Sequence, residues 1–124
     1  MTDILIVEDT HVGRRMLRAA LDRCDLPDLD VVEVDDGASA AALLGQRSFD
    51  LVLSDLYLPS LNGRELLIRA RADGLDVPFV FVTAERSSET ASALLALGAL
   101  AVLAKPCDAA ALRETLVSLA FDRA

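Results

Sequence analysis

Four motifs in the sequence carry side chains that could bind a metal ion and a phosphoryl group. Each directly follows an apolar run, and they are Glu8-Asp9, Asp55, Thr83 and Lys105-Pro106. Carboxylate oxygens are the ligands that Mg²⁺ and Mn²⁺ prefer over zinc-type donors. A carboxylate can also attack phosphorus, while a hydroxyl or an ammonium can pair with phosphoryl oxygens. The combination predicts phosphoryl transfer assisted by a divalent cation.

These motifs can meet only if the runs before them are strands of one sheet. Strand-like and helix-like segments alternate five times along the chain. The predicted strands are Ile4–Val7, Val31–Val34, Leu51–Ser54, Val77–Val82 and Leu100–Ala104. The predicted helices are His11–Cys24, Ala38–Gln46, Arg64–Ala72, one capped by Ser87 or Ser88 and running to Leu97, and Ala109–Phe121 capped by Asp108. Such alternation predicts a parallel sheet covered by helices, with ligands at the carboxyl ends of the strands.

The first predicted helix has a regular apolar spacing. Val12, Met16, Ala20 and Cys24 recur every four residues. This spacing predicts an amphipathic helix that buries those four side chains.

Composition limits the functions open to this chain. Its 12 basic and 20 acidic residues give a net charge of −8, which repels nucleic acid. No apolar run is long enough to cross a bilayer and no signal peptide is visible. Cys24 and Cys107 lack metal-binding spacing, so they are expected to be reduced thiols of a cytoplasmic protein. The 124 residues fit one domain, 1–124.

Each motif also has a plain interpretation. Acidic pairs after strands are often solvated, aspartate is common in turns, threonine suits strand ends, and Lys-Pro simply ends a strand. A cis bond before Pro106 would orient Lys105 inward. The conjunction of all four motifs, each at the end of a different predicted strand, favours the functional interpretation.

The chain contains ILIVED at 4–9, DLVLSDLYLP at 50–59, Asn62-Gly63, FVTA at 81–84, and Gly98-Ala99 through Lys105-Pro106. With these motifs it resembles, over essentially its whole length, a response-regulator receiver domain of two-component signalling. The stretches IRARADG at 68–74 and VTAE at 82–85 resemble the single-domain chemotaxis regulators in particular. The receiver resemblance implies a flavodoxin-like, doubly wound α/β fold, with five parallel strands in the order 2-1-3-4-5 and five helices. It also implies one receiver domain with no output domain.

The resemblance implies a role for each motif residue. Asp55 would accept the phosphoryl group from a histidine kinase or a histidine phosphotransfer protein, with Thr83 and Lys105 assisting. The implied ligands of Mg²⁺, or of Mn²⁺, are Glu8, Asp9, Asp55 and the backbone carbonyl of Tyr57. Tyr57 and Glu85 match two positions that tune dephosphorylation in the family, and a bulky Tyr57 is expected to slow attack by water.

Two positions depart from the family pattern. Val102 stands three residues before Lys105, where the family usually has the tyrosine or phenylalanine that rotates as the threonine moves. Leu100 and Ala101 replace residues that are commonly polar. Leu100 is expected either to pack against the fourth helix or to join an apolar docking or homodimer face formed by helix 4, strand 5 and helix 5. Basic residues of helix 1 either face the phosphotransfer partner or are solvated; they are Arg14, Arg15 and Arg18.

The sequence therefore predicts a phosphorylation-controlled switch that acts through protein contacts on an unidentified target. It would catalyse only its own phosphorylation and dephosphorylation. A receiver of a hybrid kinase or phosphorelay, and a phosphorylation-independent scaffold, remain open alternatives. An aspartyl-phosphate phosphatase is disfavoured, because Tyr57 stands where such an enzyme has its acid–base aspartate. A dinucleotide-binding protein would need a glycine-rich first turn.

Overall fold

Strands and helices alternate along the computed structural model, which describes residues 2–119. The strands β1 to β5 are Thr2–Val7, Leu29–Val34, Leu51–Ser54, Phe79–Thr83 and Ala101–Ala104. The helices α1 to α5 are His11–Asp22, Gly37–Gln46, Gly63–Ala72, Ser88–Ala96 and Ala109–Val117. Within this described part, none of the helices has the length and apolarity needed to cross a membrane.

All neighbouring strands of the sheet are parallel, in the order β2-β1-β3-β4-β5. Val7, the last residue of β1, pairs with Ser54, the last residue of β3. Glu8 and Asp55 therefore leave adjacent strands at the same level, where strands are spaced by about 4.8 Å. The predicted flavodoxin-like fold, including its strand order, is confirmed.

Helices cover both faces of the sheet, which explains why β1, β3 and β4 are almost continuously apolar and buried. One cluster of buried side chains fills the space beneath α2, α3 and α4 and includes Phe79 and Phe81, whose ring centroids lie 5.8 Å apart. The other lies beneath α1 and α5 and includes Leu17, Leu21 and Leu112. The two clusters fix the strands that carry the site.

Polar side chains at the helix starts set where each helix begins. Ser87 and Asp108 accept hydrogen bonds from backbone amides of α4 and α5, as predicted. Asn62 and Glu65 form a capping box at the start of α3. Gly98, at φ 106°, follows α4 in the left-handed region that favours glycine, so the predicted end of this helix is confirmed.

Arg71 joins the loops that lead into β4 and β5. Its guanidinium donates hydrogen bonds to the carbonyls of Leu75 and Val77, each at 3.0 Å, and to the carbonyl of Gly98 at 3.1 Å. It also lies over the ring of Phe79, 5.6 Å from the centroid. One side chain thereby ties the α3–β4 and α4–β5 connections together.

The predicted buried face of α1 is wrong in its first half. Val12 and Met16 are 67% and 48% exposed, whereas Leu17 and Leu21 are buried with Ala20. A helix has 3.6 residues per turn, so a spacing of four advances by about 40° at each step. The stripe therefore starts on the solvent face and reaches the core only at its end.

Other boundaries also differ from the sequence predictions. β1 and β2 begin earlier, at Thr2 and Leu29, and α5 ends at Val117, while Phe121 lies outside the described residues. Leu100, for which packing against α4 was one of two predicted alternatives, packs against the cluster beneath α1 and α5.

Candidate functional site

Three carboxylates meet where β1 and β3 end. Glu8, Asp9 and Asp55 each place a carboxylate oxygen within 4.8 Å of the other two. Glu8 is fully buried and Asp55 is 7% exposed, whereas Asp9 is exposed. The structure thus brings together the acidic residues that the sequence placed on two separate strands.

Lys105 reaches these carboxylates from the end of β5. Its ammonium Nζ lies 2.6 Å from Oε1 of Glu8 and 2.8 Å from Oδ2 of Asp55. The peptide bond between Lys105 and Pro106 is cis. Burial lowers the pKa of Lys105, but hydrogen bonds to Asp55 and Glu8 outweigh this effect and raise it. The side chain is therefore an ammonium at neutral pH.

Glu8 is held as an anion inside the protein. Burial opposes its ionisation, but hydrogen bonds from Lys105 and Thr10 bring the pKa of Glu8 down to about 2. Its Oε2 accepts from the amide of Thr10 at 2.7 Å and from the hydroxyl at 3.0 Å. Gly13 leaves the room that this carboxylate needs, because a Cβ there would lie 2.5 Å from Cδ of Glu8.

Asp9 is the carboxyl group whose ionisation is opposed by the crowding of three carboxylates. Although Asp9 is exposed, the loss of part of its hydration shell raises its pKa, as do the neighbouring Glu8 and Asp55 carboxylates. Lys105 is shared between the other two carboxylates and does not neutralise all three. An oxygen-only donor set with surplus negative charge fits Mg²⁺ or Mn²⁺.

Backbone groups hold Asp55 in place. Its Oδ1 accepts hydrogen bonds from the amides of Leu56 at 2.7 Å and Tyr57 at 3.4 Å. Its own carbonyl accepts from the hydroxyl of Ser54 at 2.7 Å. Gly63 packs directly beneath, since a Cβ there would lie 2.5 Å from the same carbonyl oxygen. One carboxylate oxygen is thus fixed by the main chain and the other by Lys105.

Thr83 lies at the end of β4, the strand next to β3, and its side chain is buried. Its hydroxyl oxygen accepts a hydrogen bond of 3.2 Å from the amide of Glu85. In the part of the chain that the structure describes, this hydroxyl makes no hydrogen bond to Asp55. The structure therefore brings Thr83 to the predicted edge but turns it toward the loop that precedes α4.

Tyr57 and Glu85 form a contact that the sequence did not predict. The exposed Tyr57 donates its phenolic hydrogen bond to Oε2 of Glu85, and Oε1 of Glu85 accepts from the hydroxyl of Thr90 at 2.7 Å. The bond to Glu85 raises the pKa of Tyr57, while the bonds from Tyr57 and Thr90 lower the pKa of Glu85. The family resemblance singled out both positions, but no signal in the sequence pointed to Thr90.

Arg14 does not follow the solvated alternative that the sequence left open. It is partly buried, donates a hydrogen bond of 2.9 Å to the backbone carbonyl of Glu8, and lies 3.8 Å from Glu33. Arg18 pairs with Asp22 at 3.3 Å and with Glu33 at 3.9 Å. These two arginines are thus engaged within the chain, and Arg14 supports the backbone of the site.

The fold and this carboxylate–lysine edge define an α/β domain of the receiver class. The family model for the response regulator receiver domain matches residues 4–117, and the chain belongs to that family. It is 38% identical over 111 residues to the regulatory protein LuxO of Vibrio cholerae, a match that covers 90% of this chain and 24% of that protein.

Two further relatives extend the comparison. The sensor histidine kinase RcsC of Salmonella typhi is 34% identical over 113 residues, covering 91% of this chain and 12% of that protein. The crystal structure of the Mn²⁺-bound form of response regulator Rcp1 is 26% identical with a TM-score of 0.76, covering 96% of this chain and 91% of that one. The chain thus spans a small part of the length of the two curated relatives and nearly all of the solved response regulator.

Proposed function

We propose that this receiver accepts a phosphoryl group on Asp55 and signals through protein contacts that depend on that modification. The observation that carries the proposal is the setting of the Asp55 carboxylate. It is nearly buried, fixed by two backbone amides and by Lys105, and lies beside two further carboxylates. The proposed donor is the phosphohistidine of a histidine kinase or phosphotransfer protein, or a small acyl phosphate.

The proposed cofactor is Mg²⁺, with Mn²⁺ as a substitute. Its protein ligands would be Glu8, Asp9, Asp55 and the backbone carbonyl of Tyr57. Support comes from the oxygen-only donor set, from the raised pKa of Asp9, and from the solved Rcp1 structure, which contains Mn²⁺. When bound, the ion would neutralise charge on the phosphoryl oxygens during transfer.

The chain's own residues perform the remaining chemistry in this proposal. A carboxylate oxygen of Asp55 forms a bond to phosphorus while the P–N bond of phosphohistidine breaks, and the electron pair stays on the imidazole nitrogen. Lys105, which pairs with Asp55 before transfer, pairs with the phosphoryl group afterwards. Thr83 donates its hydroxyl hydrogen bond to a phosphoryl oxygen once it turns from the Glu85 amide.

A second candidate is a receiver that belongs to a hybrid kinase or a phosphorelay. The match to part of the sensor kinase RcsC favours it. Both candidates predict the same chemistry at Asp55 and differ in the protein that receives the signal. A phosphorylation-independent scaffold predicts no modification at all, and a single receiver domain over 1–124 stays a prediction.

Intact-mass analysis after incubation with acetyl phosphate tests the proposal. With Mg²⁺ we expect a phosphoryl adduct on the wild-type chain, and no adduct on Asp55→Ala or in samples treated with a chelator. Asp76→Asn is the matched control, because Asp76 is an exposed aspartate near the opposite ends of the strands. Its adduct should equal that of the wild type.

The absence of an adduct from folded wild-type protein, together with no response to beryllofluoride, would contradict the proposal and favour the scaffold. An adduct that persists in Asp55→Ala would move the phosphorylation site elsewhere.

A further inference from the structure

Tyr57 contacts both the proposed phosphorylation site and the loop before α4. Its backbone amide donates to Oδ1 of Asp55 at 3.4 Å, and its phenolic hydroxyl donates to Oε2 of Glu85. The ring itself is 61% exposed. A change at the Asp55 carboxylate therefore acts directly on the hydrogen bond that it accepts from the backbone amide of Tyr57.

Glu85 carries this contact onward to α4 and back to Thr83. Its carboxylate accepts from the hydroxyl of Thr90 at 2.7 Å, and its amide donates to Oγ1 of Thr83 at 3.2 Å. Thr90 lies in the first turn of α4, where its own amide donates to the capping hydroxyl of Ser87 at 3.3 Å. The first turn of α4 thus shares one acceptor, Glu85, with Tyr57.

Because residue 102 is valine, no aromatic side chain at this position provides a second connection between the site and α4. Val102 pairs with Phe81 in the sheet and packs against the cluster beneath α4. A β-branched valine has one stiff side-chain torsion and no polar group. It cannot rotate between an inward and an outward position as an aromatic side chain would.

We propose that Tyr57, Glu85 and Thr90 form a hydrogen-bonded relay that couples the state of Asp55 to the start of α4. The inference rests on the proposed function, because the relay responds to a phosphoryl group on Asp55. That group adds negative charge beside Tyr57 and repels the Glu85 carboxylate. When the Thr83 hydroxyl turns to the phosphoryl group, the Glu85 amide loses its acceptor. The Tyr57–Glu85 bond then breaks and the first turn of α4 is released.

The composition of the chain supplies a direct probe of this relay. Tyr57 is the only tyrosine and the chain has no tryptophan, so tyrosine emission reports this ring alone. A carboxylate that accepts the phenolic hydrogen bond quenches tyrosine emission. We expect emission to rise when acetyl phosphate or beryllofluoride is added with Mg²⁺, beyond any change that Mg²⁺ causes alone.

Two variants separate the relay from the rest of the site. Glu85→Gln removes the anionic acceptor, so its emission should be high at the start and should change little on phosphorylation. Glu89→Gln is the matched control, because Glu89 is an exposed glutamate in the same first turn of α4. It should respond as the wild type does. Backbone amide hydrogen exchange in 88–91 should be faster in Glu85→Gln and in Tyr57→Phe than in Glu89→Gln.

Intact mass measured on the same samples distinguishes the failure of the relay from the failure of the proposed function. A full adduct with unchanged tyrosine emission overturns the relay and leaves phosphorylation of Asp55 standing. No adduct overturns both. Emission and exchange in Glu85→Gln that match those of the wild type also overturn the relay, because that comparison needs no phosphoryl group.

Discussion

The two edges of the sheet hold the same kinds of charged side chain in different surroundings. At the carboxyl edge, formed by Glu8, Asp9, Asp55 and Lys105, three clustered carboxylates face one ammonium. At the amino edge, formed by Asp3, Asp30, Arg47 and Asp50, the guanidinium lies 3.4 Å from Asp3 and 3.5 Å from Asp30, and Asp50 accepts from the amide of Asp3 at 2.7 Å.

The contrast lies in burial, because each edge has three carboxylates and one cation. The side chains of Arg47 and Asp30 are 41% and 59% exposed, so water screens their ion pair and limits its energy. Glu8 is fully buried, and its charge depends on Lys105 and Thr10. Water screens the negative excess of the amino edge, whereas at the carboxyl edge Glu8 and Asp55 are buried and a cation would relieve the excess. This buried negative charge makes the carboxyl edge the candidate functional one.

The largest difference in stability between the two edges is expected when the cation of each edge is removed. Lys105→Met should lower the free energy of unfolding by about 3 kcal/mol, because Glu8 would keep a buried charge without its partner. Arg47→Met should lower it by at most about 1 kcal/mol, since its ion pairs are exposed. Urea unfolding at neutral pH without divalent ions measures both. Equal losses would contradict the contrast.

The reactivity of the Cys107 thiol reports how far burial extends along the chain beyond Lys105. Burial, with smaller effects from Cys24 and Asp108, raises the pKa of Cys107 to about 11. In Cys24→Ser, which leaves this single thiol, iodoacetamide at pH 8 should react roughly 100-fold more slowly with the folded than with the unfolded chain.

The same shift predicts a pH effect on stability. Below about pH 9 the thiol is protonated in both states, so it has no effect; between about pH 9 and about pH 11 the unfolded chain ionises first and stability falls. Cys24→Ser/Cys107→Ser should lack that fall. Rapid alkylation of the folded chain at pH 8 would show that the carboxyl edge is open to water around this residue.

A pair of glycines gives the smallest expected effect. Gly63→Ala should lower the free energy of unfolding by about 2 kcal/mol, because its Cβ would lie 2.5 Å from the Asp55 carbonyl oxygen and 2.8 Å from Phe81. Gly45→Ala, in α2 beside the amino edge, should raise it by about 0.5–1 kcal/mol, since the new Cβ would meet no described atom within 4 Å apart from its chain neighbours and the backbone of its own helix. Thermal unfolding of the two variants is the measurement, and a stabilising Gly63→Ala would show that the site is less tightly packed than described.

Much of the fold could be predicted because buried parallel strands appear in the sequence as nearly continuous apolar runs, as in β1, β3 and β4. Alternation alone gave a parallel sheet, while the strand order came from the family resemblance. The buried face of α1 was mispredicted because a four-residue spacing drifts around a helix, and the core selected Leu17 and Leu21 over Val12 and Met16.

The candidate site was predictable to the level of strand ends and no further. Glu8, Asp55, Thr83 and Lys105 were found because the backbone alone brings strand ends together. The contact between Tyr57 and Glu85 joins side chains 28 positions apart in two loops. It depends on side-chain rotamers and loop geometry, which no spacing in the sequence encodes.

Arg71 donates hydrogen bonds to the carbonyls of Leu75, Val77 and Gly98 and so holds together the segments that lead into β4 and β5. A strand that is held at one end is displaced most easily at its other end. Because one guanidinium holds the starts of both strands, a displacement of one start also displaces the other. Independent movement is left to the far ends of the same two strands, where Thr83 and Lys105 lie.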